Sequence, residues 1–407
     1  MKLKTKLGKR RITLADIRIS ATAKKYVLSV LNTNRLSYGP FTLKYEKKFA
    51  VIHRRRFAIM TNSGTSGLAI SIAAFKELEG WQDGDEILVP AVTFIASANA
   101  VIHNHLRPVF VDVESDYYCL DPKQIEAKIT PKTRAIMPVH LFGQSADMAP
   151  ILTIAKKYKL KIIEDSCETM FVNYHGKPVG SEGDVSVFST YVTHIIATGV
   201  GGMITTNDEK VATLIKSLIF HGRNQNYLRI EDDDSAKNDK QRAALIKHRF
   251  EFNHIGYSYR LTEMEAALGV AELERKAQII KKRQLVGQKL TAMLTEFSNF
   301  FQLPQVRLNS VHIYMLFPIV IKDVRINKTN LLLFLEKNGI ETRLFMPLLT
   351  QPIYTHLFGA IEHNYPVAKM LVTRGFIIGS HPYITDDDII YLRSLLKKFL
   401  QHEKLLV

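Results

Sequence analysis

Short apolar runs alternate with helical stretches between about residues 57 and 206. The apolar runs predict strands at 57–60, 86–90, 108–113, 134–140 and 161–165, and the segments between them predict helices at 66–79, 96–104, 122–129 and 149–159. Several of these strands are apolar throughout rather than alternating. Such strands are typical of parallel sheets that helices cover on both faces. The pattern therefore predicts an α/β fold with a mainly parallel central sheet.

The pattern changes in the C-terminal third of the chain. A long helical segment at 261–294 is followed by a mixed α+β region, with a predicted strand at 312–321 and helices at 327–338 and 386–401. A chain of 407 residues is also too long for one compact core. We therefore expect a large α/β domain over residues 1–260, then a linking helix and a smaller α+β domain over residues 261–407.

Polar clusters follow three of the apolar runs, at 61–67 (TNSGTSG), 164–168 (EDSCE) and 189–194 (STYVTH). Ligands of parallel sheets bind beyond the carboxyl ends of the strands. TNSGTSG is equally suited to an N-capping turn and to a phosphate cradle at a helix N-terminus. EDSCE is either a solvated strand end or a carboxylate placed to pair with a cationic ring nitrogen. A lone histidine such as His194 is more often structural than catalytic.

The formal net charge is +16, but the basic residues are dispersed, with dense groups at 2–11, 53–56 and 281–284. No nucleic-acid-binding motif accompanies them, so we expect no nucleic-acid partner and interpret the charge as a basic enzyme surface that favours a diphosphate-bearing substrate. Two cysteines suggest a reducing compartment. The apolar runs are too short for a membrane span, and the N-terminus lacks a secretory signal, so a cytoplasmic protein without a membrane partner is expected.

Together the motifs are more specific than any one of them. TNSGTSGLAISIAAF, GDEILVPAVTFIASANAVI, PVFVDVE, MPVHLFGQSADM, IIEDSCE, TGVGGM and GYSYRLTEMEAALGVAELE, in this order, resemble the DegT/DnrJ/EryC1/StrS family of sugar aminotransferases and dehydratases. The resemblance extends from about residue 15 to 400. It implies the aspartate-aminotransferase-like fold of fold type I enzymes that depend on pyridoxal phosphate (PLP), and a homodimer with shared active sites.

The resemblance also implies roles for individual residues around the cofactor. Asp165 matches the carboxylate that pairs with the ring nitrogen, and Phe94 matches the aromatic residue that stacks on the ring. Ser63, Gly64, Thr65 and Ser189 match the phosphate cradle. Glu168 stands where many relatives have a glutamine near the cofactor hydroxyl. Ser258, in GYSYR, replaces the usual asparagine that reaches the cofactor phosphate of the neighbouring subunit, so that contact is expected to be weaker or replaced.

His194 is the decisive departure from the family pattern. Counted from the TGVGG turn, it occupies the place of the lysine that holds PLP covalently. An imidazole cannot make that bond, so the resemblance implies a noncovalently held cofactor, most naturally the amine form, pyridoxamine phosphate (PMP). A histidine here is found in two dehydratase branches of the family. With an ordinary pKa near 6.5, it suits a catalytic proton transfer at neutral pH.

One of those branches needs an iron–sulfur cluster, for which two cysteines cannot supply the usual four ligands. No metal site is expected, because no His/Cys/Asp group has ligand spacing. The other branch, of the GDP-4-keto-6-deoxymannose 3-dehydratase type, needs no cluster. We therefore expect a 3-dehydratase of a nucleotide-linked 4-keto-6-deoxyhexose in deoxysugar biosynthesis, with glutamate regenerating PMP. An aminotransferase that works without the lysine and a non-catalytic paralogue are the alternatives.

Three further residues are candidates for contacts with the nucleotide sugar. His221, in FHGRN, is as consistent with a packing role as with one facing the substrate or the partner subunit. Arg343, in IETRLFMP, and His356 stand where relatives contact the sugar nucleotide. The nucleotide and the sugar stay open, because the loops that bind them vary too much to be interpreted from one chain.

Overall fold

The computed structural model describes residues 11–224, 236–248 and 250–406. The basic group at 2–11 lies almost entirely outside the described residues. The first half contains helices α1 (Ala21–Thr33), α2 (Pro40–Ile52), α3 (Gly64–Glu79), α4 (Ile95–His103), α5 (Met148–Tyr158) and α6 (Glu209–Ile219). Its strands are β1 (Phe57–Thr61), β2 (Glu86–Pro90), β3 (Arg107–Val111), β4 (Thr133–Ile136), β5 (Lys161–Asp165), β6 (Asn173–Tyr174), β7 (Lys177–Pro178), β8 (Val185–Ser189) and β9 (Gly202–Thr206).

The second half carries the remaining elements. Its helices are α7 (Asp239–His248), α8 (Glu263–Glu274), α9 (Lys276–Leu294), α10 (Lys328–Lys337), α11 (Pro352–Phe358), α12 (Pro366–Arg374) and α13 (Asp386–His402), and its strands are β10 (Phe301–Gln302), β11 (Leu316–Ile321), β12 (Thr342–Leu344) and β13 (Gly375–Gly379). No helix within the described ranges combines the length and the apolar character that a bilayer crossing requires.

The central sheet has the strand order β1-β9-β8-β5-β4-β2-β3. Strand β9 is antiparallel to both of its neighbours, and the other strands of this sheet run in one direction. Strands β2, β8 and β9 are buried along their whole length, because helices cover both faces of the sheet. The predicted α/β fold with a mainly parallel sheet is thereby confirmed. Because β1, β2, β5 and β8 run in the same direction, they all end at one edge of the sheet.

A smaller α+β unit follows, as predicted. Its antiparallel sheet has the order β10-β11-β13-β12, and it shares a second hydrophobic core with α9, α10 and α13. Ile12 is also buried in this core and pairs with Ile340. The sequence assigned the N-terminal segment to the large domain, but its backbone lies against the smaller one. The boundary at residue 260 otherwise stays a prediction.

Two predicted helices differ from the observed ones. The segment 122–129 forms two short 3-10 turns, Pro122–Gln124 and Glu126–Lys128, rather than one α-helix. The long helix at 261–294 is interrupted at Arg275, which ends α8 and precedes α9. Helix α8 packs on α1 and α2, whereas α9 packs on α13. The interruption redirects the chain from one core to the other.

Candidate active site

Three polar segments meet where β1, β5 and β8 end. Thr61 at the end of β1 and Ser189 at the end of β8 both pair with Gly202 of β9, so the loops that follow them start side by side. Asp165 at the end of β5 pairs with Val187, two residues before Ser189. The clusters that the sequence places after strands are therefore neighbours in space, as expected from the parallel direction of the strands.

The first segment forms the N-terminus of α3. The Ser63 hydroxyl caps this helix by accepting a hydrogen bond from the Ser66 backbone N–H at 3.0 Å. The first N–H groups of a helix have no partner within the helix and attract anions. A Cβ atom added to Gly64 would lie 2.5 Å from Cys167 Sγ and 3.0 Å from Ser189 Cβ. Only a glycine lets the helix end approach both other segments this closely.

Asp165 is a buried carboxylate held by two donors. Its Oδ2 atom accepts a hydrogen bond from the Ser97 hydroxyl at 2.7 Å, and its Oδ1 atom accepts one from the Cys167 backbone N–H at 3.1 Å. Ser97 lies on α4, and its hydroxyl is 2.8 Å from that of Thr93. The sequence interpretation missed Ser97, although its position one turn after Phe94 in VTFIAS was a usable signal. The carboxylate is thus fixed in orientation at the end of the strand.

Phe94 and Glu168 stand near this carboxylate in sequence but differ in environment. The Phe94 side chain is 59% exposed at the start of α4, one turn before Ser97, so its ring is available to a ligand. Glu168 is buried, and its Oε2 atom accepts a hydrogen bond from the Phe142 N–H at 3.1 Å. Burial, with the adjacent Asp165 carboxylate, raises the pKa of Glu168 to about 7.

His194 lies in the turn that joins β8 to β9. The chain from 191 to 199 forms a loop. The half-buried imidazole places Nδ1 3.2 Å from the Ser189 carbonyl oxygen. Since a carbonyl only accepts, Nδ1 carries the proton and Nε2 keeps its lone pair. Burial, with the nearby Arg283 cation, lowers the pKa of His194 to about 4, so the ring is neutral at pH 7.

Ser258 and His221 come together through a residue that the sequence interpretation missed. The Arg260 guanidinium lies 3.1 Å from the Ser258 hydroxyl and 3.2 Å from Nε2 of His221. Both Ser258 and His221 are exposed. The same loop reaches the cradle, because the Tyr259 carbonyl accepts a hydrogen bond from the Asn62 N–H at 2.8 Å. This exposed trio of Ser258, His221 and Arg260 therefore lies beside the end of β1.

The two remaining candidates, Arg343 and His356, have other surroundings. Arg343, on β12, forms an ion pair with Glu341 at 2.6 Å and donates to the Thr342 carbonyl. His356 is exposed on α11. Among the described residues, no hydrogen bond or ion pair joins either side chain to Asp165, Ser189 or His194. Their proposed contacts with a sugar nucleotide stay predictions.

The model of the DegT/DnrJ/EryC1/StrS aminotransferase family matches residues 18–397. The chain belongs to this family. Its members are PLP-dependent, sugar-modifying enzymes. The family assignment made from the ordered motifs is therefore confirmed, and so is the aspartate-aminotransferase-like fold.

Comparisons with individual proteins point in two directions. GDP-perosamine synthase of Caulobacter vibrioides is 34% identical over 382 residues, which cover 93% of this chain and 95% of that protein. A solved structure of GDP-4-keto-6-deoxy-D-mannose-3-dehydratase from Escherichia coli with bound hydrated PLP superposes with a TM-score of 0.86 at 26% identity, covering 95% of this chain and all of that one. Another structure of GDP-4-keto-6-deoxymannose-3-dehydratase, with a trapped adduct of PLP and glutamate, has a TM-score of 0.85, 26% identity and the same coverage.

Proposed function

We propose that the protein is a PMP/PLP-dependent 3-dehydratase that removes the 3-hydroxyl of a nucleotide-linked 4-keto-6-deoxyhexose, with glutamate regenerating PMP. The observation that carries this proposal is His194. By the resemblance of the TGVGG turn to the family it takes the place of the lysine, and its Nδ1 lies 3.2 Å from the Ser189 carbonyl oxygen, which leaves Nε2 to take a proton. No lysine lies between Lys177 and Lys210 in the sequence to replace the missing amine.

The described residues fit a noncovalently bound PMP or PLP. Ser63, Gly64, Thr65 and Ser189 would hold the phosphate, at a helix end where the missing Cβ of Gly64 leaves room for three segments to meet. Asp165 would pair with the ring nitrogen, Phe94 would stack on the ring, and Glu168 would lie near the ring hydroxyl. When bound, PMP supplies an amine that links to a keto sugar and a ring that accepts electrons.

The residues of the chain supply orientation and proton transfer. The Ser97 hydroxyl and the Cys167 N–H fix the Asp165 carboxylate, so it needs no reorganisation to receive a cationic ring. His194 Nε2 would take a proton from the C4′ carbon of the bound cofactor, the transfer that precedes loss of the 3-hydroxyl, while Nδ1 stays hydrogen-bonded to the Ser189 carbonyl. Since the imidazole is neutral at pH 7, it acts as a base without first losing a proton.

A homodimer completes the proposed site. The exposed trio of Ser258, His221 and Arg260 would face the partner's cofactor phosphate, with Arg260 supplying the charge that the family's usual asparagine would not. Glutamate is proposed as the amino donor, supported by its presence with PLP in a dehydratase of similar structure. The two cysteines of the sequence leave an iron–sulfur cluster without enough thiolate ligands.

A lysine-free aminotransferase is the second candidate, favoured by the 34% identity to GDP-perosamine synthase. The two activities give different products from the same mixture. Purified protein with PMP, or with PLP and glutamate, is incubated with a panel of GDP-, CDP-, UDP- and dTDP-linked 4-keto-6-deoxyhexoses, and the sugar products are followed by mass. Dehydration yields a keto sugar lacking one oxygen, together with ammonia. An aminosugar without ammonia would establish the aminotransferase, and no product at all with any sugar would favour a non-catalytic paralogue.

Variants at position 194 test the placement of the histidine. His194→Asn should abolish the dehydration, whereas His363→Asn, an exposed histidine elsewhere, should leave it unchanged. His194→Lys should hold PLP covalently, so that borohydride reduction makes the attachment permanent. If His194→Lys binds PLP but never attaches it, His194 does not occupy the lysine position and the proposal loses its main support.

A further inference from the structure

One residue of the basic group at 281–284 is buried. Lys281 and Lys282 point to solvent, as expected of a basic surface, but Arg283 on α9 is only 4% exposed. Burying a guanidinium costs several kcal/mol unless a partner compensates for its lost hydration. A cation placed inside the protein at such a cost calls for an explanation beyond solubility.

The Arg283 guanidinium joins three backbone segments. Its Nη1 atom donates to the carbonyl oxygens of Met315 at 3.1 Å and Ser380 at 3.3 Å, and more weakly to that of Tyr314 at 3.5 Å. These carbonyls lie just before β11 and just after β13, both in the smaller domain. Its Nη2 atom donates to the carbonyl oxygen of His194 at 3.3 Å. Arg283 therefore connects the smaller domain directly to the proposed base.

The approach of α9 to this junction depends on Gly287, one turn after Arg283. A Cβ atom at Gly287 would lie 2.1 Å from the ring of Tyr314. Tyr314 itself adopts a left-handed backbone with φ 51°, which is unfavourable for a large side chain. Helix α9 and the start of β11 are thus in close contact at the place where Arg283 donates to the carbonyl groups of Tyr314 and Met315.

The charge of Arg283 is not balanced by a carboxylate. Its recorded acceptors are all carbonyl oxygens, and its Nε–H has no hydrogen-bond partner among the described residues. Arg283 and His194 both line a cavity of about 40 Å³, whose other charged or titratable lining residues are Asp16, Arg18, Glu272, Arg275 and Tyr383. Arg18 pairs with Asp16 at 3.0 Å and Arg275 pairs with Glu272 at 3.4 Å. These pairs largely cancel, so the uncompensated charge facing His194 is that of Arg283.

We propose that Arg283 is a positioning residue for His194, which ties the His194 loop to the strand ends of the smaller domain and whose cation keeps the imidazole in its unprotonated form. The first role follows from the shared guanidinium, because any shift of the loop stretches its hydrogen bond to the His194 carbonyl. The second follows from the unpaired charge across a small cavity. Burial lowers the pKa of Arg283 to about 10, so the cation persists at neutral pH. The inference rests on the proposed role of His194 as the base.

The test separates the two roles with two variants. Arg283→Gln keeps hydrogen-bond donors but removes the charge, whereas Arg283→Lys keeps the charge but loses the planar fork. The His194 imidazole is titrated by NMR through its 13Cε1–H resonance in protein without cofactor or sugar, with His194→Asn used for assignment. Lys281→Gln, which removes one exposed charge from the same helix, is the matched control.

We expect Arg283→Gln to raise the pKa of His194 above about 4 by the part of the depression that the Arg283 cation causes, while the part caused by burial remains, and we expect Arg283→Lys and Lys281→Gln to leave it low. In turnover, Arg283→Gln should move the acidic limb of the pH–rate profile to higher pH. Arg283→Lys should lower kcat without moving that limb, because the loop loses its fork but the imidazole keeps its charge state.

An unchanged His194 titration in Arg283→Gln overturns the electrostatic role, and equal shifts in Arg283→Gln and Lys281→Gln do so as well. Native kcat in Arg283→Lys overturns the positioning role. If Arg283→Gln does not fold, Arg283→Lys still decides the positioning role, and Arg283→Met, which removes the charge but keeps a long side chain, replaces Arg283→Gln in the His194 titration, where an unchanged pKa overturns the electrostatic role. Because the titration needs no substrate, a shifted titration in a protein that dehydrates no sugar would reject the proposed function and leave the Arg283 assignment standing.

Discussion

Gly64→Ala is the sharpest test of the phosphate cradle. The added methyl group would lie 2.5 Å from Cys167 Sγ and 3.0 Å from Ser189 Cβ, whereas ordinary contacts begin near 3.4 Å. The backbone of both neighbours is held in place, since the Cys167 N–H donates a hydrogen bond to Asp165 and Ser189 ends a buried strand. The N-terminus of α3 must therefore move away from the other two segments.

Insertion of a methyl group into a packed region costs about 1–3 kcal/mol. A protein without cofactor can relax this strain by shifting the helix end, but the phosphate needs the segments together. We expect most of the cost to appear in binding, as a roughly 5- to 150-fold weaker affinity for PLP and PMP. Equilibrium dialysis with absorbance detection measures that affinity, and urea unfolding without cofactor measures the remainder.

A double-mutant cycle identifies the cause of the loss. Cys167→Ala removes the atom that the new methyl group strikes first, so in the Gly64→Ala background it should restore most of the affinity, leaving the contact with Ser189. Gly80→Ala, at the other end of α3, meets nothing within 4 Å and is strained only by its φ of 67°, so it should cost stability but not binding. Native affinity in Gly64→Ala, or no recovery on adding Cys167→Ala, would refute this account of the cradle.

Three further outcomes follow from the described contacts. Burial lowers the pKa of His53 and of His312 to about 3. Below pH 6.5 the unfolded chain therefore binds protons that the folded chain does not. The free energy of unfolding should fall by about 2 kcal/mol per histidine between pH 7.5 and pH 5. Urea unfolding at the two pH values measures this loss, and equal stabilities would contradict it. Asp165→Asn removes the charge proposed to face the ring nitrogen and should weaken PLP binding roughly 10- to 150-fold in equilibrium dialysis. Ser97→Ala, which removes only a hydrogen bond to this carboxylate, should weaken it less. Equal losses in the two variants would mean that the charge is unimportant. Glu263 accepts hydrogen bonds from the backbone N–H groups of Gly39, Phe41 and Thr42 at the start of α2. Glu263→Ala should therefore lower the free energy of unfolding in urea by about 3 kcal/mol, whereas Glu265→Ala, in the capping box of α8, should lower it by about 1 kcal/mol. Similar losses in the two variants would contradict this role of Glu263.

The architecture and the position of the site were largely readable from the chain. The predicted strands at 86–90 and 161–165 coincide with β2 and β5. A short apolar run between turn residues forms a buried strand for local reasons, so it can be recognised from the sequence. Since parallel strands end at one edge, the polar residues after those runs had to meet there. The resemblance to the family predicted Asp165, Ser189 and His194 as members of one site. The strand registers bring Asp165 and Ser189 together, and a hydrogen bond joins His194 to the Ser189 carbonyl.

The remaining features depend on contacts between distant parts of the chain. Whether the segment 261–294 is one helix or two depends on which cores its halves meet, and a continuous helical period carries no sign of the break at Arg275. Ser97 reaches Asp165 from 68 residues away, and Arg283 reaches the His194 carbonyl from 89 residues away. In the sequence Arg283 is one basic residue among several. It becomes distinctive only where two domains meet around it, because burial and the direction of a hydrogen bond are properties of the packed chain.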